Sequence, residues 1–159
     1  MTVQVKYNMD GLNDFVKGLS KDYVTRVGVL GGHEARGDGD LGNAEIGVVH
    51  EYGSKSGKIP QRSFLRMPLE VKSKEFIKGV GGANVVKEAI ANGDYKRVFE
   101  LMGAKAEQIV DDAFATGGFG QWPSLSAGTV AAKGSAGILK DTQQLRRSIS
   151  SDVKNKGDM

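Results

Sequence analysis

Tyr95-Lys96-Arg97-Val98-Phe99-Glu100-Leu101-Met102-Gly103-Ala104-Lys105-Ala106-Glu107-Gln108-Ile109-Val110-Asp111-Asp112-Ala113-Phe114-Ala115-Thr116 is the longest periodic run in the chain. Val98, Leu101, Met102, Ala106, Ile109, Val110, Ala113 and Phe114 fall on one side of a 3.6-residue repeat, and Glu100, Glu107 and Asp111 on another. That spacing predicts one long amphipathic helix, stopped by Gly117, Gly118 and Gly120. The segments around it are shorter. Upstream, Val3, Val5 and Tyr7 alternate with polar neighbours, as a half-buried strand does. Asp10 can cap a short helix whose apolar stripe is Leu12, Phe15, Val16 and Leu19. Tyr23, Thr25, Val27 and Val29 begin another strand. Downstream, Ser126–Lys133 reads as a helix ended by Gly134, Asp141-Thr142 as a cap for one or two turns through Arg147, and Ile149, Ser151 and Val153 as a final strand. A strand, a helix and a strand within the first 30 residues suggest an α/β or α+β sandwich, and the whole chain reads as α+β: a small sheet packed against one long and several short helices, with long Gly-rich loops.

The middle of the chain reads less regularly. Asn43 can cap a helix over Ala44–Tyr52 that ends at Gly53. Pro60 biases Ile59 away from helix, so 59–66 reads as extended. A helix follows over Pro68–Lys78, with Pro68 in its first turn. Gly79, Gly81 and Gly82 form a break and a hinge candidate, and Asn84–Ala91 a further short helix. The 159 residues fit a single domain over 1–153, with a frayed tail at 154–159.

Composition excludes several classes. There are 23 Gly and no Cys, so no disulfide framework, thiolate zinc site or Cys nucleophile is possible. No apolar run approaches the roughly 18–20 residues that cross a bilayer. The first residues lack the apolar stretch of a signal peptide. The expectation is a soluble domain made inside the cell. The net charge of +3 is split: residues 1–53 hold 5 Lys/Arg against 8 Asp/Glu, and residues 54–159 hold 17 against 11. No run of five or six like charges marks a nucleic-acid tail.

Candidate chemistry is sparse. His33-Glu34 and His50-Glu51 look like metal or acid–base pairs, and a small metal-dependent hydrolase would have to use them. Adjacent side chains diverge on a strand or a helix, and neither pair completes His-Glu-x-x-His. Gly37-Asp38-Gly39-Asp40-Leu41-Gly42 satisfies Gly-x-Gly-x-x-Gly, but its two Asp would repel a phosphate. The twelfth position from Asp38 is Val49 rather than Glu, so the calcium-loop pattern fails. There is no Gly-x-Ser-x-Gly. Lys55, Lys58, Arg62 and Arg66 form the densest basic stretch. It could dock an acidic partner or contact DNA phosphates weakly and without sequence preference. No aromatics interleave with it for base stacking.

Two blocks are more distinctive than any of these. Glu45-Ile46-Gly47-Val48-Val49-His50-Glu51-Tyr52-Gly53-Ser54 with Ile59-Pro60-Gln61-Arg62-Ser63-Phe64-Leu65-Arg66 is the first. It resembles the A-x-I-x-x-x-H-E-F-G … I-P-x-R-P/S-F-L segment of bacteriophage neck and tail-completion proteins, the virion morphogenesis family. Trp122-Pro123-Ser124-Leu125-Ser126, Thr129, Lys133-Gly134, Leu139-Lys140-Asp141-Thr142, Leu145 and Ser148-Ile149 form the second. They are similar to that family's W-x-x-L-x-x-x-T-x-x-x-K-G … L-x-D-T-G-x-L-x-x-S-I, with Gln143 where the family usually has Gly. In Mu-like members the two blocks stand in the opposite order.

The resemblance implies a non-enzymatic structural protein of a tailed phage or prophage, without catalytic residue, metal or cofactor. Such proteins form homo-oligomeric rings, hexamers or dodecamers, at the head–tail junction or the top of the tail tube. Implied partners are further copies of the chain, other neck, connector or tail-tube proteins, and packaged DNA by non-specific contact, with no membrane. The implied location is the virion neck or tail, after assembly in the host cytoplasm. Lys55, Lys58, Ile59, Arg62, Phe64, Leu65 and Arg66 are then the expected inter-subunit arm, with the two arginines at the rim of an inserted Phe64-Leu65. Structural roles fall to His50, Glu51, Tyr52, Gly53, Pro60, Trp122, Leu125, Thr129, Lys133, Gly134, Leu139, Thr142, Leu145, Ser148 and Ile149. Tyr52, Phe64, Leu65 and Trp122 read more readily as core than as interface.

Overall fold

The computed structural model describes residues 23–31, 41–79, 82–134, 136–139 and 143–158. The expected strand at 2–8, the helix after Asp10, His33-Glu34, most of the glycine loop 31–42, Lys140-Asp141 and Thr142 lie outside them. Among the described residues the fold is α+β, with seven helices and one two-stranded sheet.

The sheet joins distant parts of the chain. Strand β1 (Tyr23–Val29) pairs antiparallel with β2 (Ile149–Asn155), from Tyr23 opposite Asn155 to Val29 opposite Ile149. Arg26 and Asp152 face each other in this register, and Arg26 donates to both carboxylate oxygens at 2.6 and 2.8 Å. This hydrogen bond holds the exposed Asp152 carboxyl below its ordinary range. Strand β2 runs past residue 153 and continues into a 3-10 turn, Lys156–Asp158, where the sequence reads as a frayed tail. Pairing to Tyr23 and Val24 accounts for the extension.

The long helix takes the expected boundaries. Helix α5 (Tyr95–Thr116) is capped by Asp94, whose carboxylate accepts from the Arg97 N–H at 3.2 Å. It ends at Gly117, which takes the left-handed conformation (φ 66°) that a Cβ disfavours. Gly103, Ala106, Ile109, Val110, Ala113 and Phe114 are its buried stripe. Gly103 admits the sheet, because a Cβ there would lie 2.5 Å from Ser151 Oγ and 2.9 Å from Ser151 Cβ. Thr25 fixes the same contact by donating to the Phe99 carbonyl at 2.8 Å.

Shorter helices wrap the other end of α5. Helix α1 (Asn43–Tyr52) begins one residue earlier than the sequence predicts. Asn43 is its first, buried residue rather than its cap; Gly42 caps it, and Glu45 reaches back to accept from the Gly42 N–H at 2.9 Å. The single helix expected over Pro68–Lys78 is two, α2 (Arg66–Val71) and α3 (Ser73–Gly79), divided at Lys72. Both pack on α5, and the division lets two straight pieces follow its surface. Helix α4 (Gly82–Ala91) adds a further contact with α5. Helix α6 (Ala127–Lys133) ends at Gly134 as expected and begins one residue later than the sequence predicts, with Ser126 as its cap, and α7 (Gln144–Arg147) leads into β2.

The core lies between α5, the segment before α2, and α7. Phe64, Val110, Ala113, Phe114, Trp122 and Leu145 form one buried cluster. Phe64 meets Phe114 at 5.4 Å between ring centres, and Phe114 meets Trp122 edge-on at 5.7 Å and 81°. Edge-on and tilted pairs of this kind satisfy the ring quadrupoles.

Candidate functional site

Glu51 sits in the last turn of α1 and is 6% exposed. Its carboxylate is directed at the start of α2. Oε1 accepts from Ser63 Oγ at 2.6 Å and from the Arg66 N–H at 3.2 Å; Oε2 accepts from the N–H groups of Phe64 and Leu65 at 2.9 and 3.0 Å. The first N–H groups of a helix have no partner within it. Here Glu51 supplies the partners for Leu65 and Arg66, Ser63 Oγ supplies the one for Met67 at 2.9 Å, and Pro68 has no N–H to satisfy. A residue 15 positions back in sequence from Arg66 therefore does the work of a local cap.

The loop between the two elements is closed by its own backbone. Arg62 N–H donates to the His50 carbonyl at 2.7 Å, and Gln61 Nε2 to the Glu51 carbonyl at 3.0 Å. Ser54 N–H donates to the Ile59 carbonyl, and Ile59 N–H to Ser54 Oγ, each at 2.9 Å. Gly53 (φ 80°) makes the turn, and a Cβ on it would come within 3.1 Å of the Gln61 nitrogen.

The second block is stitched to the first. Trp122, 6% exposed, donates from its indole N–H to the Ser63 carbonyl at 2.9 Å. Arg62, 5% exposed, donates from Nε to the Pro123 carbonyl at 3.0 Å and from Nη2 to the Ser124 carbonyl at 3.2 Å. Burial pushes the Arg62 guanidinium below its ordinary pKa. Leu145 and Ser148 are also buried, Ser148 donating to the Leu145 carbonyl at 2.8 Å, and Ile149 and Leu139 pack against the core.

Between the blocks lies a half-open cleft of about 490 Å³. Ile59, Pro60, Leu125 and Leu139 give it apolar walls, and His50, Lys58, Arg62, Ser126 and Thr129 give it polar groups. A second depression of about 500 Å³ lies along α1 by Val48, Tyr52 and Lys55.

The expected arm is thus divided. Lys55, Lys58, Ile59 and Pro60 are exposed and Arg66 is exposed, whereas Arg62 and Phe64 are buried and Leu65 is half-buried. Phe64, 1% exposed, fills the core of its own chain and is not the inserted tip pictured from sequence; Arg62, 5% exposed, is held by the Pro123 and Ser124 carbonyls at the cleft rather than standing at the rim of such a tip. Tyr52, expected in the core, is 68% exposed, because α1 turns its Val48–Tyr52 edge away from the cluster. Lys133 occupies the last turn of α6. The structure brings together His50, Pro60, Arg62, Leu125, Thr129 and Leu139 at the cleft, and Glu51, Phe64, Trp122 and Leu145 beneath it. Sequence reasoning missed the Glu51 clamp and the Arg62 tether; the only signal for either was their place in the quoted blocks.

The Glu51 carboxylate, which a hydrolase reading would need as base or ligand, is spent on backbone and hydroxyl donors. Among the described residues no three His, Asp or Glu side chains converge where a metal could bind. What the arrangement offers is a rigid frame around a cationic, partly apolar cleft. No family model matches the chain, and neither a curated protein nor a solved structure matches it significantly.

Proposed function

We propose that this chain is a structural virion protein of a tailed phage or prophage, which assembles as a homo-oligomeric ring at the head–tail junction or the top of the tail tube. The observation that carries the reading is the convergence of the two quoted blocks. Their shared residues meet in one hydrogen-bonded unit of Glu51, Arg62, Ser63 and Trp122, and the acidic and basic groups in it hold backbone. Such a unit stiffens a subunit and leaves its exposed loops to meet neighbours. Ring closure needs two different, complementary faces on one subunit. The acidic first third and the basic remainder of the sequence provide complementary charge.

No helix among the described residues is long and apolar enough to cross a membrane. Partners under this reading are further copies of the chain and other neck, connector or tail-tube proteins. Light scattering of the purified chain across a concentration series is the test. The expected mass is a closed multiple of the 16.9 kDa subunit, as in a hexamer or dodecamer. A chain that stays monomeric at high concentration, or that carries a stoichiometric metal, overturns the reading.

A further inference from the structure

Arg62 is the unusual group in the cleft. Its guanidinium has five N–H donors. Nε and Nη2 are held by the Pro123 and Ser124 carbonyls, and no carboxylate pairs with it among the described residues. A buried cation normally has a counter-ion, because taking a lone charge from water is costly. The two carbonyls fix the plane of the guanidinium where it lines the cleft. Lys58, exposed, adds a second cation to the same cleft, and Thr129 a hydroxyl. Ile59 and Leu139 leave room for an apolar side chain beside the charge.

We infer that this cleft is a carboxylate-binding site, and that its ligand is an acidic segment of a second copy of the chain, the run Asp38-Gly39-Asp40-Leu41. This rests on the ring reading for the source of the ligand. Three observations select that occupant. It is acidic where the cleft is cationic. It belongs to residues 1–53, which carry net −3, whereas the cleft is built almost wholly from residues 54–159, which carry net +6. Its apolar end, Leu41, is 53% exposed in the subunit and so is available to the apolar walls of another. A planar guanidinium held in place is suited to bidentate carboxylate contact.

The test uses the full chain and two readouts. First, a synthetic peptide of residues 36–44 is titrated against the full chain carrying Asp40→Lys, whose own run no longer fills the cleft, while the Thr129 and Leu139 resonances are followed. The expected result is a shift at both, abolished when the peptide carries Asn for Asp38 and Asp40. Second, sedimentation reads association for Lys58→Glu, for Asp40→Lys and for the two combined. Each single reversal is expected to weaken association roughly tenfold, and the combination to restore part of the loss. Lys58 is exposed, so its reversal leaves folding intact; Arg62→Met is a harsher variant, to be read only after its melting curve. Peptide titration that leaves Thr129 and Leu139 unmoved overturns the site. Shifts produced there by a DNA duplex and not by the peptide overturn the choice of ligand. A ring that assembles unchanged with Lys58→Glu contradicts the cleft and leaves the ring standing, whereas a monomeric wild-type chain contradicts the ring itself.

Discussion

Residues 54–60 and 62–68 are neighbours in sequence and opposites in structure. The first stretch is exposed almost throughout and carries Lys55, Lys58 and Ile59. The second is sunk into the molecule: Arg62, Ser63, Phe64 and Pro68 are all buried. Both contain basic and apolar residues, so composition does not separate them. Polar bonding does. The first closes on itself through Ser54 and Ile59, whereas the second is gripped from outside by Glu51 and Trp122. Residues of one type hold the fold in one stretch and stand exposed in the next, according to which donors and acceptors their neighbours leave open.

Substitutions sharpen this contrast, beginning with the largest effect. Phe64→Ala should destabilise by about 3–5 kcal/mol in denaturant unfolding, the range for emptying an aromatic site in a core. A cost under about 1 kcal/mol would mean that Phe64 faces outward, and the contrast would fail. Glu51→Ala leaves Ser63 Oγ and three backbone N–H groups without their acceptor. About 3 kcal/mol is expected, since each buried unsatisfied group costs about 1–3 kcal/mol and the losses overlap. Glu51→Gln, which keeps one acceptor oxygen, should fall between wild type and Ala in the same melts. Trp122→Phe keeps most of the ring packing but removes the donor to Ser63; a loss of about 1–2 kcal/mol would mark that bond.

Smaller effects belong to the surface. Arg146 donates to both oxygens of Asp111, at 2.8 Å to the second, and this holds the Asp111 carboxyl below its ordinary range. Asp111 is exposed and Arg146 half-buried, so solvent screens the pair and it is worth about 1 kcal/mol or less at neutral pH. Its sign follows from linkage. A carboxyl with a lowered folded pKa contributes fully above its unfolded value of about 3.9 and loses that contribution as pH falls through the folded value. Melts of wild type and Asp111→Asn should therefore differ at pH 7 and converge in acid. Lys58→Ala should change stability by less than about 0.5 kcal/mol, as exposed positions do, and so complete the contrast with Arg62 three residues before Leu65.

Regular elements were legible because periodicity is local. The boundaries Tyr95 and Thr116 follow from an apolar stripe and a terminal glycine, and β1 from alternation alone. Gly103 shows the limit: within a helix it reads as a weak point of about 1 kcal/mol against Ala, and only the sheet pressed on α5 explains it. The division at Lys72 has no proline or glycine to announce it, since it answers to the surface of α5. Asn43 looked like a cap because side-chain type is visible in sequence while burial is not. Glu51 is the clearest case. Its neighbour His50 suggests chemistry, and its partners stand 12 to 15 residues away on a chain that first has to turn back at Gly53. Glu51, Arg62, Ser63 and Trp122 all fall in the quoted blocks, and the fold shows what their side chains hold.

The proposed ring is the central functional claim, and the inferred ligand of the cleft depends on it. Negative-stain imaging of the purified full chain tests it most directly. The account predicts annular particles of a single symmetry with a central hole; isolated particles of subunit size at concentrations well above those of assembly would contradict it.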